Sequence, residues 1–245
     1  GNGAGGTSLL QVRGTLDAGN GFMGNGGYGG NGVTAGGNGV GGSGTVDVTG
    51  SMDVATTFLM QDDATGGTAT AGAAGTADGG DALFSSHDGG SATIGALTLT
   101  ALGDAGTGTV AVDAGSGCDC GPGAIAAVDL SLISGGDLNV QTIGGNITVS
   151  GVLDLETLAK LTFADVTAGT LQFSAVNGTV NGGNIDVVND VIGDAGGAVT
   201  LGDVTAGASV NVNSGGDLSV NTVHAGTDVG LSSVGTLTAG DITAD

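Results

Sequence analysis

The sequence predicts an all-β chain folded as a parallel β-helix (β-solenoid), with coils of about 19 residues and longer Gly-rich coils in its N-terminal half. Three observations predict it. The C-terminal half repeats itself, each repeat alternates aliphatic and polar residues with period two, and the composition suits tight turns around a thin aliphatic core.

The repeat is read directly. Residues 208–226 and 227–245 align without a slip, so that Val210, Val212, Leu218 and Val223 correspond to Val229, Leu231, Leu237 and Ile242, each 19 positions on. Asp165-Val-Thr-Ala-Gly169 recurs as Asp203-Val-Thr-Ala-Gly207, an offset of 38. The segment Ser134-Gly-Gly-Asp-Leu138 recurs as Ser214-Gly-Gly-Asp-Leu218, an offset of 80. Within each unit, Val210-Asn-Val212 and Leu218-Ser-Val220 alternate as half-buried strands do, and Gly or Ser-Gly-Gly breaks them. Short strands separated by turns and repeated at this period make one coil of a parallel β-helix. Hydrogen bonds then run between coils, each advancing the rod by ~4.8 Å.

The N-terminal half keeps strand-like pieces at Leu9–Val12, Thr45–Thr49, Thr57–Met60 and Ala96–Thr100. Gly-rich stretches over roughly 18–44, 64–82 and 104–123 separate them, so the spacing is nearer 40 than 20. These read as long excursions from the same solenoid, stacked into a Gly-rich sheet in which missing side chains permit close backbone approach. The organisation expected is one continuous solenoid, with the excursions in residues 1–130 and the regular coils in 131–245. About three long and six short coils give a rod on the order of 45 Å.

Composition narrows the alternatives. With 56 Gly but 39% hydrophobic residues and one Pro, the chain is neither disordered nor collagen-like. Arg13 and Lys160 face 24 acids, for a formal charge of −22, and Glu156 is the single Glu. Asp favours turns, whereas helices use Glu and Lys on their surfaces. So few cations argue against nucleic acid and anionic membrane surfaces as partners. No segment supplies the ~20 apolar residues of a membrane span. Opening on Gly1 without Met, the chain reads as an interior piece of a longer protein or a processed product.

Candidate chemistry is thin. A polysaccharide lyase needs cations beside its base, and a glycosidase normally adds aromatic platforms to its two carboxylates. The chain has no Trp and one Tyr, Tyr28, so it is read as a non-enzyme. Asp62-Asp63 is the nearest carboxylate cluster, and a solvated turn explains it as well; Ser85-Ser86-His87-Asp88 reads as a turn, because contiguous residues do not form a nucleophile triad. Asp81, Asp137 and Asp217, each after Gly-Gly, are weak metal candidates. They lack the tandem nonapeptide spacing of calcium-binding β-rolls, which leaves no dedicated cofactor and at most weak Ca²⁺ binding along Asp columns. Cys118 and Cys120 could form a strained disulfide in a turn or pair with a neighbouring molecule, and a turn that merely holds two thiols is an equal alternative. Thr68-Ala-Thr70 and Thr98-Leu-Thr100 suggest an ice-binding ladder, for which the drifting period is unsuited. The sequons at Asn146 and Asn177 are of the kind that chance supplies in an Asn/Thr-rich chain.

The Gly-Gly-Asp-Leu-x-Val, Gly235-Thr-Leu-Thr-Ala-Gly-Asp-Ile-Thr243 and Asp-Val-Thr-Ala-Gly segments resemble the repeats of filamentous-haemagglutinin-type adhesins and related autotransporter passengers, most closely over residues ~130–245. The resemblance implies a right-handed β-helix, export across a bacterial outer membrane, and a place at the cell surface or outside the cell. It also implies a role in fibre formation or adhesion. The expected partners are copies of the chain, adjacent repeats of a longer chain, or a host surface or glycan. An ice-binding solenoid and a polysaccharide-active β-helix enzyme are the minor alternatives.

Overall fold

The computed structural model describes residues 1–104, 107–115, 122–140, 143 and 146–245. Cys118 and Cys120 lie outside these, as does part of the third Gly-rich stretch. The described residues form parallel strands and turns, with no helix among them. Along the long sheet, interior strands pair with the strand one coil before and the strand one coil after, so the sheet winds from coil to coil as a parallel β-helix.

A coil has three faces. The first face stacks Thr7–Val12, Ser43–Val48, Asp81–Ser86 and Thr109–Asp113. After a seam it resumes with Leu138–Val140, Leu161–Phe163 and Val180–Gly182, then with the leading residues of Val199–Ala206 and Leu218–Ala225, and ends at Leu237–Ala239. Long strands such as Ser51–Gln61 and Ser91–Ala101 bend from the second face to the third, and their register slips at the corner between Ile94 and Ala96. The third face is the most continuous, running through Leu97, Leu130, Leu153, Leu171, Val191 and Val210 in one inward column.

Register fixes coil length. Thr7 lies on Ser43, 36 positions on, and Ser51 on Ser91, 40 on. Ser91 lies on Ala124, 33 on, and Leu138 on Leu161, 23 on. From Leu161 the first face settles at 19, through Val180, Val199, Leu218 and Leu237. The offset of 38 is therefore two coils, and the offset of 80 is one coil of 23 and three of 19.

Period-two alternation puts Val, Leu and Ile inside, where β-branched side chains stack on their equivalents in neighbouring coils. Large and small residues also compensate between coils. Phe173 lies beneath Gly193, where an added Cβ would fall 2.0 Å from its Cζ. Phe163 meets Phe173 at 5.8 Å, and Phe58 meets Phe84 edge-on at 5.9 Å.

The Gly-rich excursions form a wing beside the solenoid. Outgoing legs pair through Gly27–Tyr28 and Ala64–Thr65, and returning legs through Gly3–Ala4, Gly39–Val40 and Ala77–Asp78. The legs also bond across the wing, Gly37 N–H to Gly30 O and Gly67 N–H to Gly37 O, both at 2.8 Å. Backbone meets backbone there, and a Cβ on Gly27 would lie 1.8 Å from Val40 O. The first excursion starts later than composition suggests. Residues 18–24 belong to the strand Thr15–Gly24, in which Gly21 leaves room for the Phe58 ring of the next coil.

Candidate interaction surfaces

The polar side chains with the most regular placement sit at the coil corners. The Asp137 carboxylate accepts the Lys160 N–H at 3.1 Å, Asp165 that of Asn184 at 2.8 Å, and Asp217 that of Thr236 at 2.7 Å. Asn184 in turn accepts the Asp203 N–H at 3.0 Å. Each acceptor lies one coil before its donor, and it satisfies a corner N–H that no ladder reaches. A short side chain is needed for this, which is why the acids are Asp and not Glu.

The Ser-Gly-Gly-Asp repeat is a clamp working in both directions. Buried Ser214 donates its hydroxyl to Gly197 O of the preceding coil at 2.9 Å and accepts the Gly216 N–H at 3.2 Å, while Asp217 reaches the following coil. Ser134 bonds to Gly108 O and Gly136 N–H in the same way.

Asp137 and Asp217 are exposed and occupy one corner four coils apart, a separation on the order of 19 Å. Asp81 stands on the other side of the seam, at the start of its first-face strand, accepting the Thr109 hydroxyl. The three candidates are not brought together, and among the described residues no three His, Cys, Asp or Glu side chains group around a common metal position. Thr98 stacks between Leu59 and Ser131, and Thr100 between Gln61 and Ile133, so neither extends a threonine ladder.

Residues 165–243 carry a chemical period that is twice the structural one. One corner runs Asp165, Asn184, Asp203, Thr222, Asp241, and the flanking outward column runs Thr167, Asp186, Thr205, His224, Thr243. Carboxylates in the corner column therefore recur every second coil, about 10 Å apart, which is about a Debye length at 0.1 M salt. Asp203 also accepts the Asn221 amide and the Thr222 hydroxyl, each at 2.7 Å.

His87 lies in a turn closed by Asp88 and Gly89, both with positive φ. Its Nδ1 is 3.1 Å from Asp88 and its Nε2 is 2.7 Å from Asp47 in the preceding coil. The hydrogen bond to Asp88, followed by the charge of Asp47, raises its pKa and favours imidazolium. The expected turn at Ser85–Asp88 thus begins at His87, and the pairing with Asp47, 40 positions away, is not visible locally. His224 is exposed, with Asp245 at 3.6 Å.

Asp62 departs from the expected solvated turn. Asp63 does serve a corner, accepting the Leu102 N–H at 2.8 Å, but the Asp62 side chain points inward and is wholly buried. Parity carried the signal, because Phe58 and Met60 precede Asp62 on the same inward face.

The ends of the stack expose its interior columns. At the first coil Leu10, Leu16 and Met23 are partly exposed beside an apolar depression of about 320 Å³. At the last coil Leu237 is 48% and Ile242 49% exposed.

The fold places the chain among the β-solenoid repeat proteins. Comparison with family models, curated proteins and solved structures gives no match to this chain.

Proposed function

We propose that this chain is a structural repeat segment of a secreted bacterial surface fibre or adhesin, a rigid rod whose coils continue onto adjacent repeats or onto copies of itself. The observation that carries the reading is the constant 19-residue register from Leu161 through Val180, Val199 and Leu218 to Leu237, which stacks each coil directly on the one before. A repeat in which every coil offers the same strand edges to the next builds a rod by stacking alone. The acidic exterior supports it, since like charge keeps long β-rich objects apart side by side while leaving their ends free to join. The reading assigns no catalytic role, and calcium enters only as weak screening of the Asp columns.

A second reading, adhesive contact through the wing, is favoured by Tyr28 and Val33, which are 73% and 70% exposed on an otherwise small-residue surface. Electron microscopy of the purified chain tests the first reading. Uniform rods, single or joined end to end, support it, whereas compact or irregular particles contradict it. Binding to a glycan array by dispersed rods, lost on Tyr28→Ala, would favour the adhesive reading.

A further inference from the structure

Asp62 sits at the neck of the second excursion, where the wing leaves the solenoid, and ties three coils together. Its Oδ1 accepts the Asn25 amide of the first coil at 2.8 Å, and that amide also contacts Ser8 Oγ at 2.7 Å. Its own N–H donates to Thr100 O in the third coil at 2.9 Å, and its C=O accepts the Gly80 N–H across the neck at 2.8 Å. Oδ2 has no aligned hydrogen-bond partner and is pressed against Gly44, where an added Cβ would lie 2.5 Å from it.

The electrostatics are one-sided. The charged groups facing Asp62 are Asp63 and Asp81, both acids. The packed strands bring Ser8, Gly44, Met60 and Thr100, which carry no charge, and Asp47 and Asp53 point outward. An ionised Asp62 is therefore a buried charge without a counter-ion, a costly arrangement that opening to water relieves. The wing is well suited to such opening, because its legs hold by backbone bonds and few apolar contacts.

We propose that Asp62 is a protonation switch at the neck of the wing, locking the excursions to the solenoid when neutral and releasing them when ionised. Burial is the largest influence and raises its pKa; the hydrogen bonds of Asn25 and of the Gly44 N–H pull it part of the way back, and Asp63 and Asp81 add a smaller push upward. The sign follows. The locked state is favoured below the ordinary value of 3.8 and is lost as pH rises through the raised one.

Hydrogen exchange of residues 25–42 and 62–80, corrected for intrinsic rates and compared with residues 161–245, tests this between about pH 3.5 and about pH 7, a window that starts below the ordinary value of 3.8. The wild-type wing is expected to lose protection severalfold at the higher pH, while Asp62→Asn, which keeps the Asn25 acceptor, stays protected at both. Parallel profiles in wild type and variant would overturn the proposal. If the variant also loses protection in residues 161–245, carbon NMR titration of the wild-type Asp62 carboxyl decides instead. A midpoint above the ordinary carboxylate range sustains the switch, and one within or below it refutes it.

Discussion

Asp190 Oδ1 accepts both the hydroxyl of Ser209, at 2.6 Å, and its backbone N–H, at 2.9 Å, one coil further on. The hydroxyl first and the N–H second hold the Asp190 carboxyl below its ordinary pKa. Its stabilising effect is therefore present above 3.8 and is lost as pH falls through the lowered value. Asp190→Ala is expected to cost about 1 kcal/mol in urea unfolding at neutral pH, and the gap from wild type should narrow at about pH 3. A gap independent of pH would rule out this origin.

The alternating corner column makes a second expectation. Asn184→Asp keeps the acceptor for the Asp203 N–H but places a carboxylate between Asp165 and Asp203, one coil spacing from each. At ~4.8 Å each new pair costs about 1 kcal/mol in water. The variant should be destabilised by roughly 1–2 kcal/mol at low salt and recover most of that in about 1 M NaCl. Salt-independent loss would show that Asn184 is there for another reason.

Gly193 and Phe173 are coupled across coils. Gly193→Ala forces a methyl into the ring, and overpacking of this kind costs about 1–3 kcal/mol. Phe173→Leu in the same chain should recover part of it, and a double-mutant cycle measures the coupling. Additive losses would contradict the stacking.

Gly27→Ala tests the wing. With Val40 O where the Cβ would go, the legs cannot approach, and residues 25–42 should lose amide protection. Residues 161–245, remote along the rod, should melt as in wild type. Loss of both together would mean that the wing and the regular coils fold as one cooperative unit.

How far the sequence reveals all this depends on where the period is constant. Val210 over Val229 and Leu218 over Leu237 were readable because no insertion separates them, and the structure pairs them. Where coil length drifts through 36, 40, 33 and 23, register partners cannot be counted, so Asp47 beside His87 and Asn25 beside Asp62 stayed hidden. Gly-rich composition assigns residues 18–24 to an excursion, whereas in the strand Thr15–Gly24 the missing side chain of Gly21 makes room for Phe58. Asp62 was read by residue type, as a solvated acid, when its parity with Phe58 and Met60 pointed inside.

The central claim is a rod whose strands run across its long axis, one coil per strand spacing. Diffraction from oriented, hydrated assemblies of the purified chain tests it most directly. The account predicts a reflection at ~4.8 Å along the rod axis. That reflection lying across the axis, or compact particles that do not orient, would contradict it.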